Sequence, residues 1–129
     1  MSFQRAFSGA KWEEHVGYCR ALRAGNRVFV TGTAPMNPDG TVHAPGDGYA
    51  QAARCFTILL DALDQLGAGA EDVTRTRMFV TDIEKWEEYG RAHREIFGEH
   101  PPTTTMVEVR RLIHPDMMIE VEADAVVEE

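Results

Sequence analysis

One long amphipathic segment between Asp47 and Gly67 most constrains what this chain can fold into. Its apolar side chains recur at helical spacing and form one stripe: Tyr49, Ala52, Phe56, Leu59, Leu60, Leu63 and Leu66. Asp47 can cap the start of such a helix and Gly67 can end it. The stripe covers about a third of the circumference, so the helix must pack on one side, against another layer of structure.

A second amphipathic helix is predicted after Thr81. Thr81 and Glu84 form a capping-box pattern. The expected buried stripe comprises Ile83, Trp86, Tyr89, His93, Ile96 and Phe97. The segment His100-Pro101-Pro102 ends this helix, because proline cannot continue the backbone hydrogen bonding. Two helices with one apolar face each need a common surface on which to pack.

Segments with alternating or β-branched residues supply that surface as a β-sheet. A Gly25-Asn26 turn predicts a hairpin, and further strands are expected later in the chain, giving the predicted strands 17–24, 27–35, Val73–Thr81, Thr103–Arg110 and Met117–Val127. The order β-β-α-β-α-β-β predicts an α+β fold, with two helices on one face of a mostly antiparallel sheet.

Alternation divides the strands into an apolar face and a face that we call the mixed face. The mixed face is predicted to carry Arg75, Arg77, Glu108, Arg110, Glu120, Glu122 and Asp124, interrupted by Phe79, Met106, Met118 and Val126. A solvated outer face with cross-strand ion pairs is one interpretation. The interrupting apolar residues favour another, in which an oligomer partly buries this face.

Composition and charge exclude several classes of function. The 129 residues suit a single domain, residues 1–129, with an irregular N-terminal arm over residues 1–15. A net charge of −8 argues against nucleic-acid binding. Cys19 and Cys55 form no metal-ligand pattern, and no GxGxxG, P-loop or HExxH motif is present, so neither a metal nor a cofactor is predicted. The N-terminus has no apolar segment typical of a signal peptide, which favours a cytoplasmic location.

Glu120 is the titratable residue of greatest interest in the sequence. It lies mid-strand between Ile119 and Val121 on the mixed face. If an interface removes it from water, its pKa rises and the carboxyl group can hold or transfer a proton near neutral pH. The alternative is a structural ion pair with an arginine on the next strand. Tyr18 could similarly present its hydroxyl to a cleft or pack as an edge aromatic.

Several segments together carry a resemblance to a known family. The segments GYCRALRAGNRVFVTGTAP, LGAGAEDVTRTRMFVTDI, FGEHPPTTTMVEVRRL and MIEVEADAVV resemble the RidA family, also called YjgF or endoribonuclease L-PSP. The resemblance runs from about Gly17 to Val127. It implies a chorismate-mutase-like fold and a homotrimer whose sheets form a central barrel. It also implies a small-molecule cleft between each pair of subunits.

Deaminating members of that family hydrolyse reactive 2-imino and 2-aminoacrylate acids. The resemblance places their water-positioning glutamate at Glu120, their cleft tyrosine at Tyr18 and their cleft glycine at Gly32. Thr104 stands where those members carry an arginine that clamps the substrate carboxylate. Charged hydrogen bonds of such a clamp are worth about 1.5–3 kcal/mol, or roughly 10- to 150-fold in rate or affinity.

Other positions of the cleft also differ from the family pattern. Met106 stands where a cysteine or threonine is common, and Gly90 stands where well-studied deaminases have an asparagine. Arg91, next to Gly90, is a candidate replacement for the missing clamp. Thr104 and Met106 are therefore expected to contact a ligand without binding a carboxylate strongly.

Three functions remain in consideration from the sequence. The leading hypothesis is a homotrimer that binds a small metabolite in its inter-subunit clefts and hydrolyses an imine, enamine or related bond with Glu120. The alternative is a non-enzymatic binding or regulatory trimer, because the clamp is lost and no new nucleophile is evident. RNA cleavage or translation inhibition is disfavoured by the pI of 5.1.

Overall fold

A computed structural model describes residues 2–128, and this part of the chain forms one six-stranded sheet with helices beside it. The elements in chain order are β1 (Gln4–Ala6), α1 (Lys11–Val16), β2 (Ala21–Ala24), β3 (Arg27–Thr33), α2 (Gly48–Gln65), β4 (Val73–Val80), α3 (Trp86–Phe97), β5 (Thr103–Glu108) and β6 (Ile119–Val126). Short 3-10 turns at Ala70–Asp72 and Ile83–Lys85 precede β4 and α3.

The sheet has the strand order β1-β2-β3-β6-β4-β5. Neighbouring strands are antiparallel except β4 and β5, which run parallel and are connected through α3. A parallel pair requires such a crossover, because a tight turn cannot return the chain to the same end of the sheet. The α+β class and the mostly antiparallel sheet predicted from the sequence are confirmed.

The long helix α2 packs its apolar stripe on the sheet, against β3 and β6, and α3 packs beside it. The side chain of Asp47 accepts a 3.0 Å hydrogen bond from the backbone N–H of Ala50, as expected for a capping residue. Phe56, Leu59 and Leu63 are fully buried. These contacts form the core between the helices and one face of the sheet.

The start of the second helix differs from the prediction. Thr81 does not cap it. Instead, the side chain of Asp82 caps a 3-10 turn, and α3 begins at Trp86. Ile83 and Trp86 are exposed rather than buried, whereas Tyr89 and Phe97 lie in the core. A 3-10 turn has three residues per turn rather than 3.6, so the side chains before Tyr89 point in other directions than in a continuous α-helix and do not join the buried stripe.

The two faces of β6 agree with the prediction, but those of β5 do not. Ile119, Val121, Ala123 and Ala125 are buried on the helix side of the sheet. In the parallel register, however, Thr104 lies beside Thr76 and Met106 lies beside the buried Met78. Residues in register share a face. Thr104, Met106 and Glu108 therefore lie on the helix side and not on the mixed face.

Residues 4–16 are ordered into elements where an irregular arm was predicted. β1 pairs with β2, and α1 ends at Gly17, which adopts a left-handed φ of 91°. Tyr18 lies between α1 and the start of β2, so it precedes the strand that it was expected to open. The buried Glu13 side chain fixes this segment through contacts described below.

The two cysteines are free thiols in different surroundings. Cys55 is fully buried in α2, and burial raises its pKa well above the ordinary value. Cys19 is partly exposed and lines a surface cavity with Phe29 and Arg77 on the mixed face of the sheet. Across residues 2–128, no helix has the length and apolar character needed to cross a bilayer.

Candidate functional site

A cavity of about 200 Å³ brings together three of the residues singled out from the sequence. Tyr18, Gly32 and Glu120 all line it, together with Arg20 and apolar side chains that include Met117. The cavity lies beside the irregular part of the β3–β6 pairing, where the register shifts between Val30 and Thr33. This shift places Gly32 against the side chain of Glu120.

Gly32 forms the part of the cavity wall against which the carboxyl group of Glu120 lies. A Cβ atom at this position would collide with the Oε2 atom of Glu120 and would lie 3.2 Å from its Cδ atom. The φ of Gly32 is not in the left-handed region. The missing side chain therefore leaves room for the carboxyl group of Glu120 against the backbone of β3, and a larger residue at position 32 would displace that carboxyl group.

The environment of Glu120 favours its protonated form relative to a carboxyl group in water. Burial raises the pKa of Glu120, the positive charge of Arg20 partly opposes this effect, and Glu122 adds a small further rise. The net result is a pKa above the ordinary value. A carboxyl group with a raised pKa is suited to accept and return a proton near neutral pH.

Arg20 is a component of the cavity that sequence reasoning missed. Its side chain is almost entirely buried, and its Nε and Nη2 atoms both lie 3.0 Å from Oε2 of Glu13. Its Nη1 atom donates to the backbone oxygen of Gly32 at 2.8 Å and lies 3.3 Å from Oγ1 of Thr33. Because these contacts occupy all three guanidinium nitrogens, Arg20 holds the backbone at Gly32 in place and is not available to bind a substrate carboxylate.

Glu13 completes this structural unit from the N-terminal segment. Burial would raise the pKa of Glu13, but hydrogen bonds from Ser8 and Arg20 outweigh that effect and hold it below its ordinary value. The backbone N–H of Ser8 donates to Glu13 at 3.1 Å, and the Ser8 hydroxyl also donates to the carboxylate. The signal in the sequence was an arginine two residues after Tyr18, although its partner was not evident.

Thr104 lies in a separate cluster on the helix side of β5. The Oγ1 atom of the buried Thr76 is 2.7 Å from Oγ1 of Thr104 and 2.8 Å from Nε2 of His93. The imidazole packs against the rings of Phe56 and Phe97, with centroid separations of 5.6 and 4.7 Å. Burial lowers the pKa of His93, so its ring favours the neutral form. The sequence indicated a packed His93 but not this chain of hydrogen bonds.

The remaining predicted ligand contacts lie outside the Glu120 cavity within one chain. Met106 packs against the edge of the core, beside Met78. The guanidinium of Arg91 lies 3.9 Å from the centroid of the Tyr49 ring, at the surface between α2 and α3. A Cβ atom at the neighbouring Gly90 would meet open space. Arg91 therefore stacks on an aromatic ring and is not positioned at Glu120.

The mixed face of the sheet combines charges with exposed apolar side chains. Arg77 lies 3.3 Å from Glu122 and 3.5 Å from Asp124 on the neighbouring strand. Exposed apolar side chains on this face include Phe29 (46% exposed), Val107 (42%) and Val126 (37%). The face is therefore partly ion-paired and partly apolar, although its contribution from β5 is Val107 rather than Met106.

Comparison with known proteins relates this architecture to one family. The family profile described as Endoribonuclease L-PSP matches residues 10–127. The crystal structure of Rv2704 from Mycobacterium tuberculosis, described as a member of the YjgF/YER057c/UK114 family, is 42% identical, with a TM-score of 0.89 over 98% of this chain and all of that one. Neighbours of this kind have the chorismate-mutase-like fold.

Two Escherichia coli proteins are also similar. The 2-iminobutanoate/2-iminopropanoate deaminase of strain K12 is 31% identical over 84% of this chain and 86% of its own length. A crystal structure of TdcF with bound serine is 26% identical, with a TM-score of 0.81 over 96% of this chain and 94% of that one. With the profile match spanning nearly the whole sequence, the chain belongs to the RidA/YjgF (endoribonuclease L-PSP) family.

Proposed function

We propose that this protein is a homotrimer that binds a small metabolite in clefts between its subunits and hydrolyses an imine or enamine there. The observation that carries this proposal is Glu120, a partly buried carboxyl group with a raised pKa held against the backbone of Gly32 in a cavity. The similarity to an Escherichia coli imine deaminase supports the choice of reaction.

The mixed face supports assembly. Exposed Phe29, Val107 and Val126 would leave water if this face met the same face of other copies, and burial of apolar area is the main favourable term in association. In such a trimer, the Glu120 cavity of one subunit and the Thr104 cluster of its neighbour form the two walls of each cleft. The proposed cleft is therefore incomplete in an isolated chain.

The proposed reaction requires one proton acceptor that later becomes a proton donor. The carboxylate of Glu120 takes a proton from water as the water oxygen bonds to the carbon of a protonated imine, which gives a neutral carbinolamine. Glu120 then returns that proton to the nitrogen. As the C–N bond breaks, the hydroxyl proton passes to the Glu120 carboxylate and then to the departing ammonia, so that a carbonyl compound and ammonium are released and Glu120 is again a carboxylate. One water is consumed for each ammonia formed. Burial raises the pKa of Glu120 above its ordinary value, which makes its carboxylate a better proton acceptor than a carboxylate in water.

Thr104 limits the proposed activity toward imines that carry a carboxylate. Its hydroxyl group has no charge, and Arg20 is already paired with Glu13. We expect hydrolysis of 2-iminobutanoate to be roughly 10- to 150-fold slower than in a relative with an arginine at this position, for loss of the charged hydrogen bonds alone.

Ammonia release from 2-iminobutanoate, generated in place from threonine by a dehydratase, tests the proposal. We expect release above the buffer rate, and we expect Glu120→Gln to lower the rate by about 100-fold or more. Glu99→Gln is the matched control, because Glu99 is exposed after α3 and does not line the cavity. Wild-type activity no greater than that of Glu120→Gln would contradict the hydrolytic role.

The alternative of a non-enzymatic binding trimer has one specific observation in its favour. In the described residues, both candidate walls hold their polar groups in structural hydrogen bonds, Arg20 with Glu13 and Thr104 with Thr76. Thermal-shift screening with metabolites separates the two functions. A compound that stabilises the protein and is recovered unchanged indicates binding, whereas a compound that is consumed indicates catalysis.

A further inference from the structure

The hydrogen-bonded chain from His93 through Thr76 to Thr104 links a buried ring to the surface of an edge strand. Thr76 is fully buried, whereas Thr104 is exposed on β5, the last strand of the sheet. Both hydrogen bonds have the ordinary lengths of well-formed hydroxyl hydrogen bonds, 2.8 and 2.7 Å. The orientation of the Thr104 hydroxyl is thus coupled, through Thr76, to the imidazole ring of His93, which is only partly accessible to solvent.

The hydrogen bonds that join His93, Thr76 and Thr104 can be donated in either of two directions. When Nε2 of His93 accepts a hydrogen bond, Thr76 donates to it and Thr104 donates to Thr76, which leaves the Thr104 oxygen free to accept from outside. When Nε2 donates, the order reverses and the Thr104 hydroxyl donates outward. A neutral imidazole can take either role, so Thr104 can serve a donor or an acceptor on a ligand.

The charges of the cavity disfavour an anionic ligand. Among the residues that line it, Arg20 carries a positive charge that Glu13 neutralises, and Glu120 adds a carboxyl group. A ligand carboxylate brought into this cleft would lose hydration and approach another carboxyl group without a free cation. An amide group has a similar shape and both donates and accepts hydrogen bonds without carrying charge.

We propose that Thr104, oriented by His93 through Thr76, contacts an uncharged polar group of the ligand, such as a primary amide, rather than a carboxylate. This inference rests on the proposed function, because the cleft that joins Thr104 to the Glu120 cavity requires a second subunit. Thr104 is the contact residue, and Thr76 and His93 are positioning residues. The ligand class is then a small neutral carbonyl, imine or enamine compound that bears an amide-like group.

Two stable compounds with the same carbon frame test the ligand class: 2-oxobutanamide and 2-oxobutanoate. Titrations are followed through the Cε1–H nuclear magnetic resonance signal of His93, assigned by its loss in His93→Gln. We expect the amide to bind at least about tenfold more tightly than the carboxylate, since one to two uncompensated polar contacts are worth that factor. We also expect the amide to move the His93 signal.

Substitutions of Thr104 and Thr76 test whether the hydrogen bonds to His93 position the Thr104 hydroxyl. Thr104→Val should weaken amide binding severalfold, Thr104→Ser should retain it, and Thr76→Val should abolish the His93 response while Thr104 keeps its hydroxyl. Thr104 is exposed, so its variants report on the contact even if the buried Thr76→Val variant folds poorly. Equal or tighter binding of the carboxylate, no detectable binding of the amide, or unchanged amide binding by Thr104→Val would overturn the inference.

Failure of this inference can be told apart from failure of the proposed function. A trimer that releases ammonia in a Glu120-dependent manner but prefers 2-oxobutanoate contradicts only the neutral ligand class. A protein that remains monomeric lacks the inter-subunit cleft and contradicts the proposed function itself.

Discussion

At the scale of single residues, two side chains carry the proposed function, one on each wall of the proposed cleft. Burial raises the pKa of Glu120, the proposed proton acceptor, while Thr104 has an uncharged hydroxyl held by Thr76. The sequence singled out both residues, but it did not reveal their immediate partners. Arg20 and His93 act through contacts between segments distant along the chain, and residue spacing does not encode such contacts.

Thr104→Arg should increase hydrolysis of imines that carry a carboxylate. A guanidinium at this exposed position adds charged hydrogen bonds worth about 1.5–3 kcal/mol, so we expect roughly 10- to 150-fold faster release of ammonia from 2-iminobutanoate. Thr104→Gln is the matched control, because it adds length without charge. Equal rates for the two variants would show that charge at position 104 does not limit the reaction.

His93 should make the protein less stable in acid. Burial lowers the pKa of His93 below its ordinary value of 6.5, so the unfolded state binds more protons than the folded state as the pH falls. This stabilising contribution is complete above pH 6.5 and is lost as the pH falls through the folded-state pKa. The unfolding free energies of wild type and His93→Gln, measured in urea at about pH 8 and about pH 5, check this. The wild type should lose more stability than the variant.

At the scale of elements, the sequence predicted those with strong periodicity and misplaced those without it. The stripe of α2 and the alternation of β6 each bury one continuous apolar face, so their orientation could be read directly. The segment Thr103–Glu108 has no such alternation, and its facing depends on the parallel register with β4. That register is a tertiary property. This is why Met106 was assigned to the wrong face.

The N-terminal segment shows the same limitation more strongly. β1 has three residues and α1 has six, which is too short for a periodic signal. Their order comes from Glu13, which receives hydrogen bonds from Ser8 and Arg20. A buried ion pair between two segments is not visible in a one-dimensional pattern, so the sequence predicted an irregular arm.

Glu13→Gln should destabilise the folded chain by about 3 kcal/mol, because it leaves the charge of Arg20 buried without its carboxylate partner. Urea unfolding measures the loss. Glu88→Gln is a suitable control, since Glu88 pairs with Lys85 at 3.7 Å in a much more exposed position. Its effect should stay below about 1 kcal/mol. A similar loss in both variants would mean that the Glu13–Arg20 pair has no special structural role.

At the scale of the whole molecule, the mixed face decides whether the proposed cleft exists. Phe29 lies near the centre of that face, on β3 opposite Asp124 of β6. Its exposed ring and the neighbouring Val126 form an apolar surface beside the Arg77 ion pairs. The sequence predicted that this face combines charged and apolar residues and placed Arg77 and Val126 on it, but it did not identify Phe29 as part of it.

Phe29→Arg should prevent assembly. Placing a charge at an interface core costs several kcal/mol, enough to shift the mass in sedimentation from three chains of 14.4 kDa toward one. Thr57→Arg adds the same charge to the exposed surface of α2 and should leave the assembly unchanged. If the wild type sediments as a single chain, the trimer is ruled out at that concentration.

The two thiols differ in accessibility, so their reactivity can report separately on assembly and on folding. Cys19 lies beside Phe29 and Arg77 of the mixed face, and the side chain of Cys55 on α2 is fully buried against β6. In the proposed trimer, a maleimide reagent should label Cys19 when neighbouring copies separate and Cys55 only when the helices detach from the sheet. The rate of labelling at each cysteine would thus measure dissociation and unfolding separately in the native protein, without an introduced probe.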